Sequence, residues 1–244
     1  MAIGRDTSFT WLGHAAVEVR TPGGKVILFD PWLSNPKSPR GADTQQQLDL
    51  LLVTHGHGDH MGDAVALAAR LRPAWPCMHE MGLWLSRRLP GGADQVTGFN
   101  KGGTVEAAGL KVTMTGADHS AGDWNPGAET TLYLGEPAGF VVEMENGFRI
   151  YHAGDTAVFS DMAIIRELYR PDLAMLPIGG HYTMDPVGAA LATELLGVRH
   201  VLPIHWGTFP LLTGTPAEFD AAIAARGLAD TVTVHAWNPG DSLN

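Results

Sequence analysis

Short apolar runs separated by glycine and proline dominate the first part of the chain. They include FTWLGHAAVEV, GKVILFD and LDLLLVTH, and later runs follow at TVEAAGLKVTMTGADH, PDLAMLPIG, RHVLPIH and TVTVHAW. Several of these runs are apolar at nearly every position, which is typical of strands buried on both faces. The pattern therefore predicts many short strands, of which TVEAAGLKVTMTGADH forms a hairpin.

Helical spacing of apolar residues appears between these strands, in GDAVALAARLR, EMGLWLSRRL, SDMAIIRELYR, MDPVGAALATELLG and TPAEFDAAIAARG. Ser160 is the predicted N-cap of one helix. Another is predicted to begin at Asp185 with Pro186 in its first turn and to stop at Gly197. Asn146-Gly147, between two apolar runs, predicts a hairpin turn with positive φ at both residues. Two packed sheets flanked by helices would satisfy this pattern.

Composition limits the class of protein. No linker or low-complexity segment divides residues 1–244, so we expect a single domain. The single cysteine, Cys77, cannot form an internal disulfide, and the first residues lack the pattern of a signal peptide, so we expect a cytoplasmic protein. No apolar stretch approaches the roughly 18 residues of a membrane span. The net charge of −10 argues against nucleic-acid binding.

Five apolar runs end in a histidine or an aspartate, namely Asp30, His55, His119, Asp155 and His205. The stretch THGHGDHMGD, residues 54–63, adds further histidines and a carboxylate with glycines between them. If the strand ends converge at one edge of the sheets, seven side chains surround one cleft: His55, His57, Asp59, His60, His119, Asp155 and His205.

Imidazole and carboxylate ligands suit a borderline cation such as zinc. One ion takes about four ligands, so seven indicate two ions. His55 and His57 alternate along an extended loop and could face one metal, whereas Asp59 and His60 fall at the start of a helix and point toward the other. Asp155 could bridge the two ions. A lone histidine is more often a satisfied polar residue, but such a cluster without a cation would be costly to desolvate.

Further candidates lie outside this cluster. His14, His181 and Tyr182 could contact substrate, and either histidine could bind a substrate anion or protonate the leaving group; His181 is the favoured catalytic candidate. The alternative is that they cap turns or pack against the metal loops. Asp30 could be no more than a turn residue before a proline. Three other histidines have no clustered partner and are predicted to be structural or on the surface: His79, His200 and His235. His152 is predicted to support the core.

THGHGDH resembles the HxHxDH signature of the metallo-β-lactamase superfamily, and TGADHS, HAGDT and PIHWGTF resemble its remaining metal motifs in order. WLGHAAVEV, FDPWLSNP and PIGGHYTMDP resemble its uncharacterised metal-dependent hydrolase branch, which is related to the bacterial ascorbate-6-phosphate lactonase group. The resemblance spans essentially the whole chain.

The resemblance implies an α/β fold, a four-layer αββα sandwich. It implies that His55, His57 and His119 hold one metal. It also implies that Asp59, His60 and His205 hold the other, that Asp155 bridges them, and that Asp30 lies behind the ligands. An iron-containing redox branch tends to have Glu where His57 stands, so His57 favours hydrolysis.

We therefore expect a hydrolase with two divalent ions, Zn²⁺ before Mn²⁺, Ni²⁺ or Fe²⁺. A metal-bridging hydroxide, oriented by Asp59, would cleave an ester, lactone or phosphodiester bond of a small molecule. Two alternatives stay open, a metal-dependent nuclease that processes RNA and a non-catalytic binding protein stabilised by metal. Relatives suggest self-association into a homo-oligomer, but no interface can be identified in the sequence.

Overall fold

The computed structural model describes residues 3–4, 6–91, 94–125 and 127–243. The strands are β1 Ser8–Trp11, β2 Val17–Arg20, β3 Val26–Phe29, β4 Leu50–Leu52, β5 Trp75–Met78, β6 Val96–Phe99, β7 Thr104–Ala107, β8 Leu110–Gly116, β9 Gly122–Asn125, β10 Thr130–Tyr133, β11 Ala138–Glu143, β12 Arg149–His152, β13 Leu173–Pro177, β14 His200–Ile204, β15 Thr233–Val234 and β16 Ser242–Leu243. The helices are α1 Gly58–Met61, α2 Ala64–Leu71, α3 His79–Leu85, α4 Met162–Tyr169, α5 Pro186–Leu196 and α6 Pro216–Ala225. No helix within these ranges combines the length and the apolarity that crossing a bilayer requires.

Two main sheets form the centre of the fold. One has five strands in the order β16-β1-β2-β3-β4, and a parallel bridge from Leu50 to Ala74 leads from it to the β5–β6 pair. The other has seven strands in the order β15-β14-β13-β12-β11-β8-β7, of which β12 to β15 run parallel. The strands β9 and β10 form a separate hairpin.

Apolar side chains of both sheets pack into one core, to which Phe29 of β3 and Phe140 of β11 belong. Helices α2 and α3 bury Leu67 and Leu85 in the same cluster, and α3 contacts β5 and β6. A second core joins the outer face of the seven-stranded sheet to α4, α5 and α6, and Phe219 is fully buried there. The layers are therefore helix, sheet, sheet and helix, which confirms the predicted αββα sandwich.

The run FTWLGHAAVEV is two strands rather than one. A turn separates β1 from β2, closed by hydrogen bonds from the Leu12 N–H to the Ala16 carbonyl (2.8 Å) and from the Ala16 N–H to the Gly13 carbonyl (3.0 Å). Gly13 and His14 have positive φ values of 86° and 53° in this turn. Glycine adopts that conformation without steric cost, and the turn places His14 between the two strands.

Two local predictions are wrong. The N-cap position of α4 is held by Asp161, which makes no side-chain cap hydrogen bond. Ser160 lies one residue too early, and its hydroxyl donates to the Asp161 carboxylate at 3.1 Å. The loop at Asn146-Gly147 has three residues, because the Met144 N–H donates to the Phe148 carbonyl at 2.9 Å. Of the two turn residues only Gly147 has a positive φ, of 80°, while the Asn146 side chain accepts the Phe148 N–H.

The prediction for α5 is confirmed at both ends. The Asp185 carboxylate accepts the Gly188 N–H at 2.7 Å, and Pro186 is the first helical residue. Gly197 ends the helix with a φ of 62°. This helix packs against β13 and so supports the strand that precedes the His181 turn.

Candidate metal centre

Five strand ends deliver the site residues to one place. Asp30 follows β3 and His55 follows β4, both from the five-stranded sheet, whereas the seven-stranded sheet supplies the others from β8, β12 and β14. Gly154 lies between β12 and Asp155 with a φ of 65°, and a Cβ there would lie 2.8 Å from both the Ala138 carbonyl oxygen and the Thr54 Cβ. The close approach of these segments therefore requires glycine at this position.

A single helical turn, α1, divides the 54–63 stretch. His57 is its N-cap residue in an extended conformation, and Asp59 and His60 lie within the turn. The extended residues before α1 and the helical residues inside it therefore project from different directions.

The ligand atoms fall into overlapping groups whose members all lie within 4.8 Å of one another. One group is His55, His57 and His119; a second is His14, Asp59, His60 and His205; a third is His55, His60 and Asp155. Asp155 Oδ2 lies 3.0 Å from His205 Nε2, 3.3 Å from His60 Nε2 and 3.6 Å from His119 Nε2. Asp155 thus lies between the first two groups, and the strand ends converge as the sequence predicts.

Several polar atoms in this cluster are buried without a hydrogen-bond partner in the described part of the chain. They are His60 Nε2, Asp155 Oδ1 and both ring nitrogens of His205. Buried polar groups are normally paired, because an unpaired one costs about 1–3 kcal/mol. Nitrogen and carboxylate oxygen donors that converge without hydrogen bonds fit divalent metal ions such as zinc.

Asp30 fixes the orientation of two imidazoles from behind. Its Oδ2 accepts the His60 Nδ1–H at 2.8 Å, and the same oxygen accepts the Thr54 hydroxyl at 2.8 Å. Because that hydroxyl proton is committed to Asp30, the His55 Nδ1–H must donate to Thr54 Oγ1, at 3.0 Å. With Nδ1 protonated, Nε2 is the atom that each neutral imidazole would present to a metal. His55 Nε2 lies 2.9 Å from His57 Nδ1, and His60 Nε2 has no hydrogen-bond partner within the ranges that the structure describes.

The carboxylates around His60 favour a positive charge at this position. Burial alone would lower the pKa of His60, but the carboxylates of Asp155 and Asp30 raise it well above its usual value. Burial would raise the pKa of Asp155, yet the charges of His205 and His60 hold it well below its usual range. Burial lowers the pKa of His55, so this imidazole is in the neutral form that binds metals.

His14 contacts the cluster through Asp59. Its Nε2 lies 3.0 Å from Asp59 Oδ2, and its Nδ1 lies 3.0 Å from the Thr208 hydroxyl. Because a carboxylate only accepts, Nε2 carries the proton and Nδ1 accepts from Thr208. Burial, followed by the charge of His205, lowers the pKa of His14 to about 4. A neutral His14 therefore holds the Asp59 carboxylate in one orientation.

Three site residues have left-handed backbones, His14, Asp30 and His205, with φ values of 53°, 41° and 54°. Such a conformation costs a non-glycine residue about 1–2 kcal/mol. The surrounding bonds hold it in place: the His14 carbonyl accepts both the Trp11 indole N–H at 3.0 Å and the His205 N–H at 2.9 Å. Backbone strain of this kind tends to cluster at functional sites.

A cavity of about 620 Å³ opens over the cluster. It is lined by His57, Asp59, His119, Ser120, Asp155, Tyr182, His205, Phe209, Pro210 and Leu211. Tyr182 is in this lining, as predicted, but His181 is not. His181 lies exposed on the turn after β13, with its ring 4.4 Å from the Tyr182 ring. A catalytic role for His181 therefore stays a prediction.

Three other histidines, His152, His200 and His235, belong to none of the ligand groups. His152 is buried, accepts the Gly154 N–H at Nδ1 (3.1 Å), and faces the Ala15 carbonyl with Nε2 (3.1 Å), which confirms its supporting role in the core. Contrary to prediction, His200 and His235 are partners of each other. His235 Nε2 lies 3.4 Å from His200 Nδ1. The two residues are close only because β14 pairs with β15.

Three residues of the site, Thr54, Thr208 and Leu211, are not among those that the sequence predicts. Thr54 and Thr208 lie within the motifs that carry the ligands, THGHGDH and PIHWGTF, and this adjacency is the only signal for them. Leu211 gives no signal, because an isolated leucine in a loop is common on protein surfaces.

The chain is similar to metal-dependent hydrolases both in sequence and in structure. A model of the β-lactamase superfamily domain matches residues 25–206. A UPF0173 metal-dependent hydrolase of Koribacter versatilis is 46% identical over 234 residues, 96% of each chain. One of Rubrobacter xylanophilus is 47% identical and covers 97% of this chain and 96% of its own. The solved structure of Igni18, a novel metallo hydrolase from Ignicoccus hospitalis, matches with a TM-score of 0.84, 36% identity and 97% coverage of both chains.

Proposed function

The chain belongs to the metallo-β-lactamase superfamily, and within it to the UPF0173 metal-dependent hydrolases, and from that premise we propose that it is a dinuclear enzyme. That it is a metal-dependent hydrolase follows from the family. The number of ions and the bond cleaved are our proposal, and the observation that carries it is the pair of ligand groups on either side of Asp155.

His55, His57 and His119 would hold one ion, and Asp59, His60 and His205 the other, with Asp155 between them. Zinc suits these nitrogen and oxygen donors best. Divalent ions held there would supply a hydroxide near neutral pH and polarise the oxygen that gains negative charge. The substrate we propose is a small molecule with an ester, lactone or phosphodiester bond.

Residues of the chain itself perform the positioning. Asp59 lines the cavity, and its Oδ2 is 3.0 Å from His14 Nε2, so the carboxylate is held where it can orient a water molecule beside the scissile bond. Tyr182 lines the same cavity, and its hydroxyl is the group that we propose gives a proton to the leaving oxygen. The apolar residues Phe209 and Leu211 keep bulk water away from the reacting group.

His57→Ala and Asp155→Ala test the proposal. Each removes a donor from the centre. Bound metal, measured by mass spectrometry of the purified protein, and hydrolysis of an ester, lactone and phosphodiester panel should both fall below roughly a tenth of the wild-type value. Even residues that only hydrogen-bond to a metal ligand cost about 10–100-fold when they are replaced. His79→Ala, an exposed histidine at the start of α3, is the control and should change neither. Full turnover by a metal-free variant would refute the dinuclear mechanism.

A further inference from the structure

The wall of the cavity beside the metal centre is apolar. Tyr182 is 52% exposed and Leu211 is 50% exposed, although both are large hydrophobic side chains. Phe209 and Pro210 complete this wall. Exposed apolar side chains grouped around a cleft with a few polar groups are typical of a ligand-binding surface.

The wall is built from two separate turns. Phe209, Pro210 and Leu211 follow His205 in a turn that the Leu212 N–H closes onto the Phe209 carbonyl at 3.0 Å. The Phe209 ring stacks on Trp32, with 5.8 Å between centroids and 25° between planes. Tyr182 comes from the turn after β13, where its N–H donates to the Gly180 carbonyl at 2.7 Å. Hydrogen bonds and ring contacts therefore hold the wall in place before a ligand arrives.

No lysine or arginine is among the described residues that line the cavity. Its ionisable groups, other than the Tyr182 phenol, are the imidazoles and carboxylates of the centre itself. A phosphate or carboxylate on the distal part of a substrate would lose its hydration against Phe209 and Leu211 without gaining a cationic partner. The net charge of −10 adds to the repulsion of an anion.

We infer that the substrate is a neutral carboxylic ester or lactone that carries an apolar chain of several carbons. This inference rests on the proposed function. The chain lies along Tyr182, Phe209 and Leu211, and the ester carbonyl lies at the end formed by His57, Asp59 and Asp155. Water adds to the carbonyl carbon, the bond from that carbon to the alkoxy oxygen breaks, and the departing alkoxide takes up the proton released by the water. The products are an alcohol and a carboxylic acid, which ionises to a carboxylate and releases the second proton of the water to the solvent.

Binding of inert amides tests the ligand class without requiring hydrolysis. The probes are octanamide, acetamide and the monoamide of suberic acid, which has the same length as octanamide but ends in a carboxylate. Calorimetric titration of the zinc-loaded protein should give octanamide a dissociation constant at least about tenfold below that of either other probe, because several methylene groups are buried. Equal affinities for the three probes would overturn the inference.

Charge placed on the wall supplies a second comparison. Leu211→Lys should weaken octanamide binding about tenfold and should strengthen binding of the suberic acid monoamide, because a cation now faces the chain terminus. Leu83→Lys is the matched control, since Leu83 is a leucine of similar exposure (57%) on α3 that does not line the cavity. Unchanged probe preference in Leu211→Lys would also count against the inference.

Kinetics separate this inference from the proposed function. The ratio kcat/KM for p-nitrophenyl octanoate should exceed that for the acetate, with most of the gain in KM. If the metal-loaded protein hydrolyses short, long and anionic esters equally well, the hydrolase proposal stands and the inference fails. If it binds octanamide selectively but hydrolyses no ester, lactone or phosphodiester, the proposed function fails and the apolar, uncharged ligand class stands.

Discussion

At the scale of single residues, Asp30 has the widest influence on the candidate centre. One carboxylate oxygen accepts both the His60 ring N–H and the Thr54 hydroxyl, and that hydroxyl in turn accepts from His55. The proposed function assigns His55 to one ion and His60 to the other, so a single buried side chain orients imidazoles at both proposed metal positions.

Asp30→Asn should therefore weaken metal binding without unfolding the protein. The amide is close in shape but lacks the charge that holds His60, so the affinity for both ions should fall by roughly 10–100-fold, as for other residues that hydrogen-bond to metal ligands. Competition with a zinc chelator measures the two dissociation constants. Asp49→Asn is the control, because the Asp49 carboxylate also accepts a backbone N–H, that of Val26 at 2.9 Å, away from the centre. Wild-type metal affinity at both sites in Asp30→Asn would show that the Asp30 charge is not needed to orient the imidazoles of His55 and His60.

At the scale of elements, side-chain caps stabilise the first turns of α5 and α6. Asp185→Ala removes the acceptor of the Gly188 N–H and should lower the free energy of unfolding by about 1 kcal/mol. Urea denaturation monitored by circular dichroism measures this loss. Asp220→Ala, an exposed carboxylate within α6, should change it by less than about 0.5 kcal/mol. Equal losses in the two variants would mean that the cap contributes nothing specific.

The pairing of β14 with β15 creates a pH-dependent contribution to stability. Burial, together with the charge of His200, lowers the pKa of His235 from 6.5 to about 4. The unfolded chain thus binds a proton more readily, so stability is fully present above pH 6.5 and is lost as the pH falls toward 4. Burial lowers the pKa of His200 as well, Asp172 raises it, and Arg199 lowers it.

His235→Gln should therefore lose less stability than the wild type between pH 7 and pH 5. Urea midpoints for both proteins, measured in the presence of a chelator so that metal release is the same at each pH, give the comparison. A parallel decline in the two proteins would show that His235 titrates as freely in the folded state as in the unfolded state.

Elements and site ends were predictable from the sequence to different degrees. Apolar runs that stop at Asp30, His55 or His205 predict both a strand and a polar end, because the sheet interior excludes such residues until the strand leaves it. Turn geometry was less accessible. Asn146-Gly147 fits a two-residue turn locally, but the register of β11 against β12 requires a three-residue loop. The apolar wall was only partly predictable: Tyr182 was a candidate for substrate contact, but Leu211 comes beside it only through the fold.

At the scale of the whole molecule, the centre joins the two sheets. Asp30 and His55 come from the five-stranded sheet, and His119, Asp155 and His205 come from the seven-stranded sheet. Metal ions bound by both sets would connect the sheets at this edge, where the unpaired donors otherwise weaken the packing.

Removal of metal should consequently lower the stability of the entire domain. Zinc at about 100 times its dissociation constant stabilises the folded protein by about 2.7 kcal/mol through one site. Treatment with a chelator should therefore lower Tm by several degrees. Differential scanning calorimetry with and without zinc measures the change. His57→Ala should show a smaller shift than the wild type, because one ion has lost a ligand. An unchanged Tm in the wild type would mean that the ions add nothing to the folded state.

The left-handed backbones of His14, Asp30 and His205 set stability against activity at the same three positions. Glycine or asparagine would lower the energetic cost of each positive φ angle. A library selected for heat resistance in metal-free medium should therefore accumulate those residues at the three positions. Selection for turnover should restore the histidines and the aspartate. At these strained turns, substitutions that directed evolution selects for stability should therefore differ from those that it selects for activity.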